Sequence, residues 1–215
     1  MPGSVKIDGA FKTIATPSVK IDGAWKTVNA GYTRIGGTWK QWFSAVQPAY
    51  EHIATANGTG SSGTITFNSI PQDYKHLQLR SVAKSTTTGA TTTAYIRFNE
   101  ISSSGTYKTH IVYGSGSSVT ANVPTDSTRI ELRHFNSIST TASAHTAGML
   151  DILDYTNTTK NKTLKALWGQ FDNNNNIHLG SGLFINTAAV SSVSIILSGG
   201  NFATTSEFSL YGIKG

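Results

Sequence analysis

Residues 163–171 read TLKALWGQF. Successive side chains of an extended chain point to opposite faces, so Leu164, Ala166 and Trp168 line one side and Lys165 and Leu167 the other. That is a strand with one face turned to a core. Working outward, GMLDILDY at 148–155 precedes it across the loop Thr156–Asn161, and the loop DNNNN at 172–176 leads into IHLGSGLFI, SSVSIILSG and EFSLYGI. Upstream, GTITFNSI at 63–70 runs into a turn at Pro71–Asp73. HLQLRSVA at 76–83 follows, with Leu77, Leu79 and Val82 expected to face the core. TAYIRFN at 93–99, THIVYG at 109–114 and STRIELRHF at 127–135 complete the series, the last with Ile130 and Leu132 on one face and Arg129, Glu131 and Arg133 on the other. Eight to ten strands at this spacing, with no long helix, predict an all-β, antiparallel, jelly-roll-like sandwich, with a barrel as the alternative closure. Phe208, Leu210 and Gly212 alternate with Ser209, Tyr211 and Ile213, which places the C-terminal strand inside a sheet.

The composition agrees. Only 13% of the 215 residues are charged and 38% are hydrophobic, while Ser, Thr, Asn and Gly fill much of the rest. Surface helices draw on Glu, Lys, Gln and Arg, which are scarce here.

The first 46 residues follow a different rule. VKIDGAFKTI at 5–14 returns as VKIDGAWKTV at 19–28, and TRIGGTWKQW at 33–42 lies another fourteen residues along. Lys6, Lys20 and Arg34 share one register, and Phe11, Trp25 and Trp39 share another. Asp-Gly between short apolar runs signals a tight hairpin, because a type I′ turn needs two residues at positive φ. With Asp8 and Gly9 as the turn, Ile7 faces Ala10 and Lys6 faces Phe11. The segment therefore reads as three short β-hairpins, and the domain boundary falls near residue 46, with a sandwich over 47–215. A single hairpin is marginal in water, so each aromatic face calls for a neighbour. Lys6, Phe11, Lys20, Trp25, Arg34, Trp39 and Trp42 are the candidate assembly contacts.

The net charge of +6 is concentrated in this arm, whose six basic residues stand against Asp8 and Asp22. These charges are spaced singly, which does not fit a nucleic-acid patch. The chain has no cysteine, so disulfides and thiolate chemistry are excluded. The N-terminal stretch MPGSVKIDGAFK lacks the apolar core of a signal peptide, and no stretch approaches the length of a membrane span. Release by lysis or within an assembly is the expected route, with no membrane insertion.

Several segments resemble a domain that recurs in structural proteins of tailed bacteriophages. They are ITFNSIPQDYKHLQLR at 65–80, YIRFN at 95–99, LDILDYTNTTKNKTLKALWG at 150–169 and FSLYGIKG at 208–215. The Lys/Arg–Ile–Asp/Gly–Gly–x–Trp–Lys repeat is similar to segments of phage tail and baseplate proteins. The resemblance implies a virion protein made inside the host cell and built into the particle as an oligomer, with its sandwich facing outward. A homotrimer contacting other virion proteins is the expectation. Capsid decoration, or a tail tip or fibre that binds host-surface polysaccharide, is the alternative.

The search for chemistry yields little. His52, His76, His110, His134, His145 and His178 form no close pair of metal-ligand spacing. Asp151 and Asp154 are three apart, hence on opposite faces of a strand, and make no carboxylate pair. Asp172 opens an Asn-rich loop and reads as a turn former. No G-x-S-x-G elbow and no phosphate-binding glycine loop is present. The reading is therefore a non-enzymatic protein without cofactor or metal. For saccharide contact, Tyr113, Trp168 and Asn173, Asn174, Asn175 and Asn176 supply aromatic faces and paired amide donors and acceptors.

Overall fold

Apolar side chains at every second position require a sheet that is covered on one face, and the computed structural model shows two such sheets facing each other. The structure describes the backbone of residues 4–7, 10–13, 18–44, 49–88, 91–136, 144–170 and 175–215, and the side chains of 18–41, 49–88, 92–133, 144–170 and 175–215. The chain divides into two units, Met1–Pro48 and Ala49–Gly215.

The first unit holds three antiparallel hairpins. They pair β1 (Ser4–Ile7) with β2 (Ala10–Thr13), β3 (Ser18–Ile21) with β4 (Ala24–Thr27), and β5 (Ala30–Ile35) with β6 (Thr38–Ser44). The first pairs Lys6 with Phe11 and Ile7 with Ala10, the register that a two-residue turn demands. The turn residues Asp8 and Gly9 lie outside the described residues.

The second unit comprises β7 (Tyr50–Asn57), β8 (Thr64–Phe67), β9 (His76–Ala83), β10 (Thr91–Phe98), β11 (Tyr107–Ser115), β12 (Ser118–Asn122), β13 (Ile130–Asn136), β14 (Thr146–Leu153), β15 (Lys162–Gln170), β16 (Asn176–Phe184), β17 (Val193–Leu197) and β18 (Glu207–Ile213). One sheet runs β12-β11-β16-β15-β14-β9-β18-β7 and the other β13-β10-β17-β8, and every pairing is antiparallel. The C-terminal strand β18 lies between β9 and β7, as its alternation predicts. Two strands escape the sequence pattern, β7 and β12. Both are sheet edges, with too few buried side chains to write a period of two.

The core lies between the sheets. Leu79, Leu150, Trp168 and Phe208 from the larger sheet meet Ile96, Leu132 and Ile195 from the smaller around one shared void. Leu164, Ala166 and Trp168 are buried and Leu167 is exposed, as the opening stretch requires. Two inner positions of β16 need glycine, Gly182 for the approach of the facing sheet and Gly180 for the indole of the neighbouring strand. A Cβ on Gly182 would lie 2.7 Å from Ile130 Cδ1, and one on Gly180 would lie 3.0 Å from the Trp168 ring.

Val82 corrects the sequence reading. Leu77 and Leu79 are buried, but Val82 is 53% exposed while Ser81 and Ala83 take the inward positions. Strand parity overrides side-chain character here: once Leu77 and Leu79 point inward, residue 82 must point outward.

Polar groups clamp the loops to this core. The Tyr107 hydroxyl accepts a hydrogen bond from Phe98 N (3.0 Å) and donates toward Ile101 O (3.0 Å), and its ring stacks on Phe184 at 5.0 Å. Burial pushes its pKa up to about 12. Asn99, at φ 52°, donates from Nδ2 to Ala189 O (2.8 Å) and accepts at Oδ1 from Ser191 N (2.8 Å) and Ser192 N (3.2 Å). Lys162 is fully buried, and its ammonium donates to the carbonyls of Asn157, Lys160 (2.9 Å) and Thr187 (2.9 Å). Burial lowers its pKa below the usual lysine value, and the three carbonyls hold the charge in place.

Candidate functional site

The arm shows how short sequence repeats become surface. Asp22 and Gly23 have φ of 51° and 82°, and Gly36 and Gly37 have 59° and 81°, the double positive φ of a type I′ turn. This fixes Lys20 opposite Trp25 and Arg34 opposite Trp39. Arg34 Nε donates to Gly37 O at 3.2 Å, so its guanidinium is held near the turn. Both indoles stand in solvent, Trp25 73% and Trp39 67% exposed, and Val19, Ile21, Tyr32 and Ile35 are exposed with them. Covering one such side chain contributes roughly 1.5–3 kcal/mol. The side chains of Lys6, Phe11 and Trp42 lie outside the described residues.

The saccharide candidates resolve differently. Tyr113, His178 and Trp168 are cross-strand neighbours on β11, β16 and β15. Their rings form one stack, with His178 4.8 Å from Trp168 at 3° and 5.2 Å from Tyr113 at 24°. Trp168 is buried and its Nε1 donates to Arg133 O at 2.7 Å. Trp168 thus takes the core position that its alternation on the strand predicts, and a ring packed inside the sandwich offers no face to a sugar. Asn176 is buried as well. Asn175 is exposed at φ 41°, and Asn173 and Asn174 lie outside the described residues, as does Asp172. The proposed amide-and-aromatic surface is not assembled by the residues that are described.

The carboxylates serve packing. Asp151 accepts from Gln78 Nε2 (2.7 Å) and sits 3.2 Å from Lys165 Nζ. Asp154, in the turn after β14, is held by Lys160 and Lys75 (3.5 Å), and its backbone N donates to His76 Nδ1 (2.9 Å). The Lys160 ammonium holds its carboxyl below the usual carboxylate range. The two aspartates thus have separate partners. Among the described residues no group of three His, Cys, Asp or Glu side chains could hold a metal ion, and no helix is long and apolar enough to cross a membrane.

What sequence reasoning missed lies on the outer face of the larger sheet. Val112, Leu179, Leu167 and Met149 form one cross-strand row that ends at Arg80. The adjacent row runs Gly114, Ile177, Gly169, Ala147, Val82 and Glu207. The small residues Gly169 and Ala147 leave a hollow between larger apolar side chains, and the result is a groove of about 550 Å³. Ile177 (60%) and Val82 (53%) are the most exposed apolar side chains of its lining, and Leu179 (58%) lies beside it on the first row. Arg80 is held at one edge, where its Nε donates to Gln78 Oε1 (2.7 Å) and its guanidinium lies over the rings of Tyr211 (5.0 Å) and Tyr50 (5.4 Å). The signal was present in the odd-numbered apolar residues of 147–169, which sit on the face opposite Leu150 and Trp168.

No protein-family model matches the chain, and no curated protein matches it significantly. Among solved structures, a protein of unknown function from Shewanella oneidensis MR-1 aligns over 86% of this chain and 79% of its own, at 11% identity and a TM-score of 0.18.

Proposed function

We propose that this chain is a non-enzymatic structural component of a tailed-phage particle, associated with the tail or baseplate, attached by its N-terminal hairpins and presenting the sandwich outward. One observation carries the reading. The sandwich has a complete core of its own, whereas the hairpins hold Trp25 and Trp39 in solvent beside Lys20 and Arg34. An element built to expose paired aromatic and cationic side chains is built to be covered by something else. The sequence resemblance of the repeat to tail and baseplate segments supports the particle as the setting. Three-fold closure fits repeated identical contacts between copies, and the functional oligomer is a homotrimer. The test is deletion of residues 2–43 followed by measurement of incorporation into particles. The expected result is a folded deletion protein that is absent from particles, and undiminished incorporation would overturn the assignment.

A further inference from the structure

We infer that the outer groove of the sandwich is the receptor for the hairpin arm of a second copy of this chain. The inference rests on the assembly reading above and names the arm's partner. Size selects the occupant. The apolar patch spans five adjacent strands, β11, β16, β15, β14 and β9. At about 4.8 Å per strand it is roughly 20 Å long, and its two rows make it roughly 10 Å wide. That is roughly 200 Å², the footprint of one hairpin rather than of a whole sheet face. A hairpin of four-residue strands is roughly 13 Å long and two strands wide, which matches the patch. The groove volume of about 550 Å³ leaves room for an indole.

Chemistry agrees with size. The hollow at Gly169 and Ala147 lacks side chains where the hairpins carry surplus ones, Trp25 and Trp39. Two indoles of the arm have a cation directly across the ladder, Lys20 for Trp25 and Arg34 for Trp39. At the groove, Glu207 stands exposed beside Val82 and makes no ion pair among the described residues. The cations nearest the groove are already engaged, Arg80 with Gln78 and two tyrosine rings and Lys165 with Asp151. A docked hairpin therefore brings its lysine or arginine to a free carboxylate while its indole fills the hollow. The contact is head-to-tail, arm into groove, and such contacts close into a ring when the rotation permits.

Complementation tests this on the full-length chain. W25A/W39A removes the knobs and leaves the groove, whereas A147W fills the groove and leaves the arm. By sedimentation at micromolar concentration, the parent associates, and each variant alone loses affinity by at least about thirtyfold. An equimolar mixture of the two forms a one-to-one heterodimer and nothing larger, since only one arm and one groove remain. Circular dichroism verifies that A147W folds. E207K, at an exposed position, provides an independent variant whose association weakens about tenfold and loses its salt dependence. A monomeric parent, parent-like assembly of A147W, or a mixture that stays monomeric would overturn the inference. Failure of the particle reading is separate and shows in the incorporation of the 2–43 deletion.

Discussion

The two units of this chain use the same strand chemistry to opposite ends. In the sandwich, alternation sorts side chains into a buried face and a solvent face, and Trp168 is enclosed by His178, Gly180 and the Arg133 carbonyl. In the arm's hairpin β3–β4, the same alternation sorts side chains onto two faces that are both exposed. Trp25 sits on its strand as regularly as Trp168 does, yet nothing in its own unit covers it. Secondary structure alone therefore does not produce a core, because a second layer must exist to receive the apolar face. The sandwich supplies that layer itself, and the described hairpins β3–β4 and β5–β6 leave Trp25 and Trp39 without one.

The largest effect that separates the units comes from making one substitution twice. Trp168→Ala removes a buried indole and leaves the Arg133 carbonyl without its donor, and is expected to destabilise the sandwich by about 3–5 kcal/mol. Trp25→Ala removes an exposed indole and is expected to change the unfolding free energy of the monomer by less than about 0.5 kcal/mol. Urea titrations at a concentration where the protein is monomeric check both. Equal effects would mean that the arm packs on the sandwich within one chain.

Lys162→Met comes next. The methionine keeps the aliphatic volume but leaves the carbonyls of Asn157, Lys160 and Thr187 without the ammonium, at an expected cost of about 2–4 kcal/mol. This loss belongs to the loop between β14 and β15, so amide exchange should accelerate there before it accelerates in β9 or β18. A uniform acceleration would show that the loop is not a separate unit of opening.

The third effect is set by pH. Tyr107 has a folded pKa of about 12 against about 10 in the unfolded chain. Between those values the folded state retains the proton that the unfolded state loses, so stability is fully present below about pH 10 and falls as pH rises towards 12. Two pKa units correspond to roughly 2–3 kcal/mol. Tyr107→Phe is expected to be less stable at neutral pH, through loss of the hydroxyl's bonds to Phe98 and Ile101, but flatter across the alkaline range. Parallel alkaline melting curves for parent and variant would disprove the role of this hydroxyl.

How much of this was legible in the sequence depends on whether a residue's fate is decided along the strand or across it. The bounds of β9 and β18 could be read directly, because Leu77, Leu79, Phe208 and Leu210 declare both the period and the face. The arm's registers could be read from its turns. Val82 could not be placed by its character, since as a valine it suits either face and only parity with Leu79 decides. That one misplacement conceals the groove, for Val82, Ala147 and Ile177 look like core residues until the opposite face is known to be filled, and Leu167, read correctly onto the outer face, does not show it alone. Trp168 fails for the converse reason: its core position was read correctly from alternation, while its chemistry also suited a sugar. Asn99 gave no signal at all, because its three partners come from residues 189–192, about ninety positions away.

The smallest effect contrasts two glycines. Gly212 has an ordinary backbone, but a Cβ there would lie 2.3 Å from the Tyr74 ring. Gly212→Ala must displace that ring and is expected to cost about 1–3 kcal/mol of sandwich stability. Gly23 is the reverse case, with φ at +82° and nothing within 4 Å of its Cβ position. Gly23→Ala meets no neighbour and pays only for its left-handed backbone, about 1–2 kcal/mol, confined to the hairpin Ser18–Thr27. Because a lone hairpin is marginal, that strain is enough to open it, yet the melting of the sandwich should not move. Cross-strand nuclear Overhauser contacts between Lys20 and Trp25 should weaken in the monomeric variant while those of β14 with β15 persist. A shift of sandwich melting in Gly23→Ala would show that the two units fold as one, and the division that separates Trp25 from Trp168 would have to be abandoned.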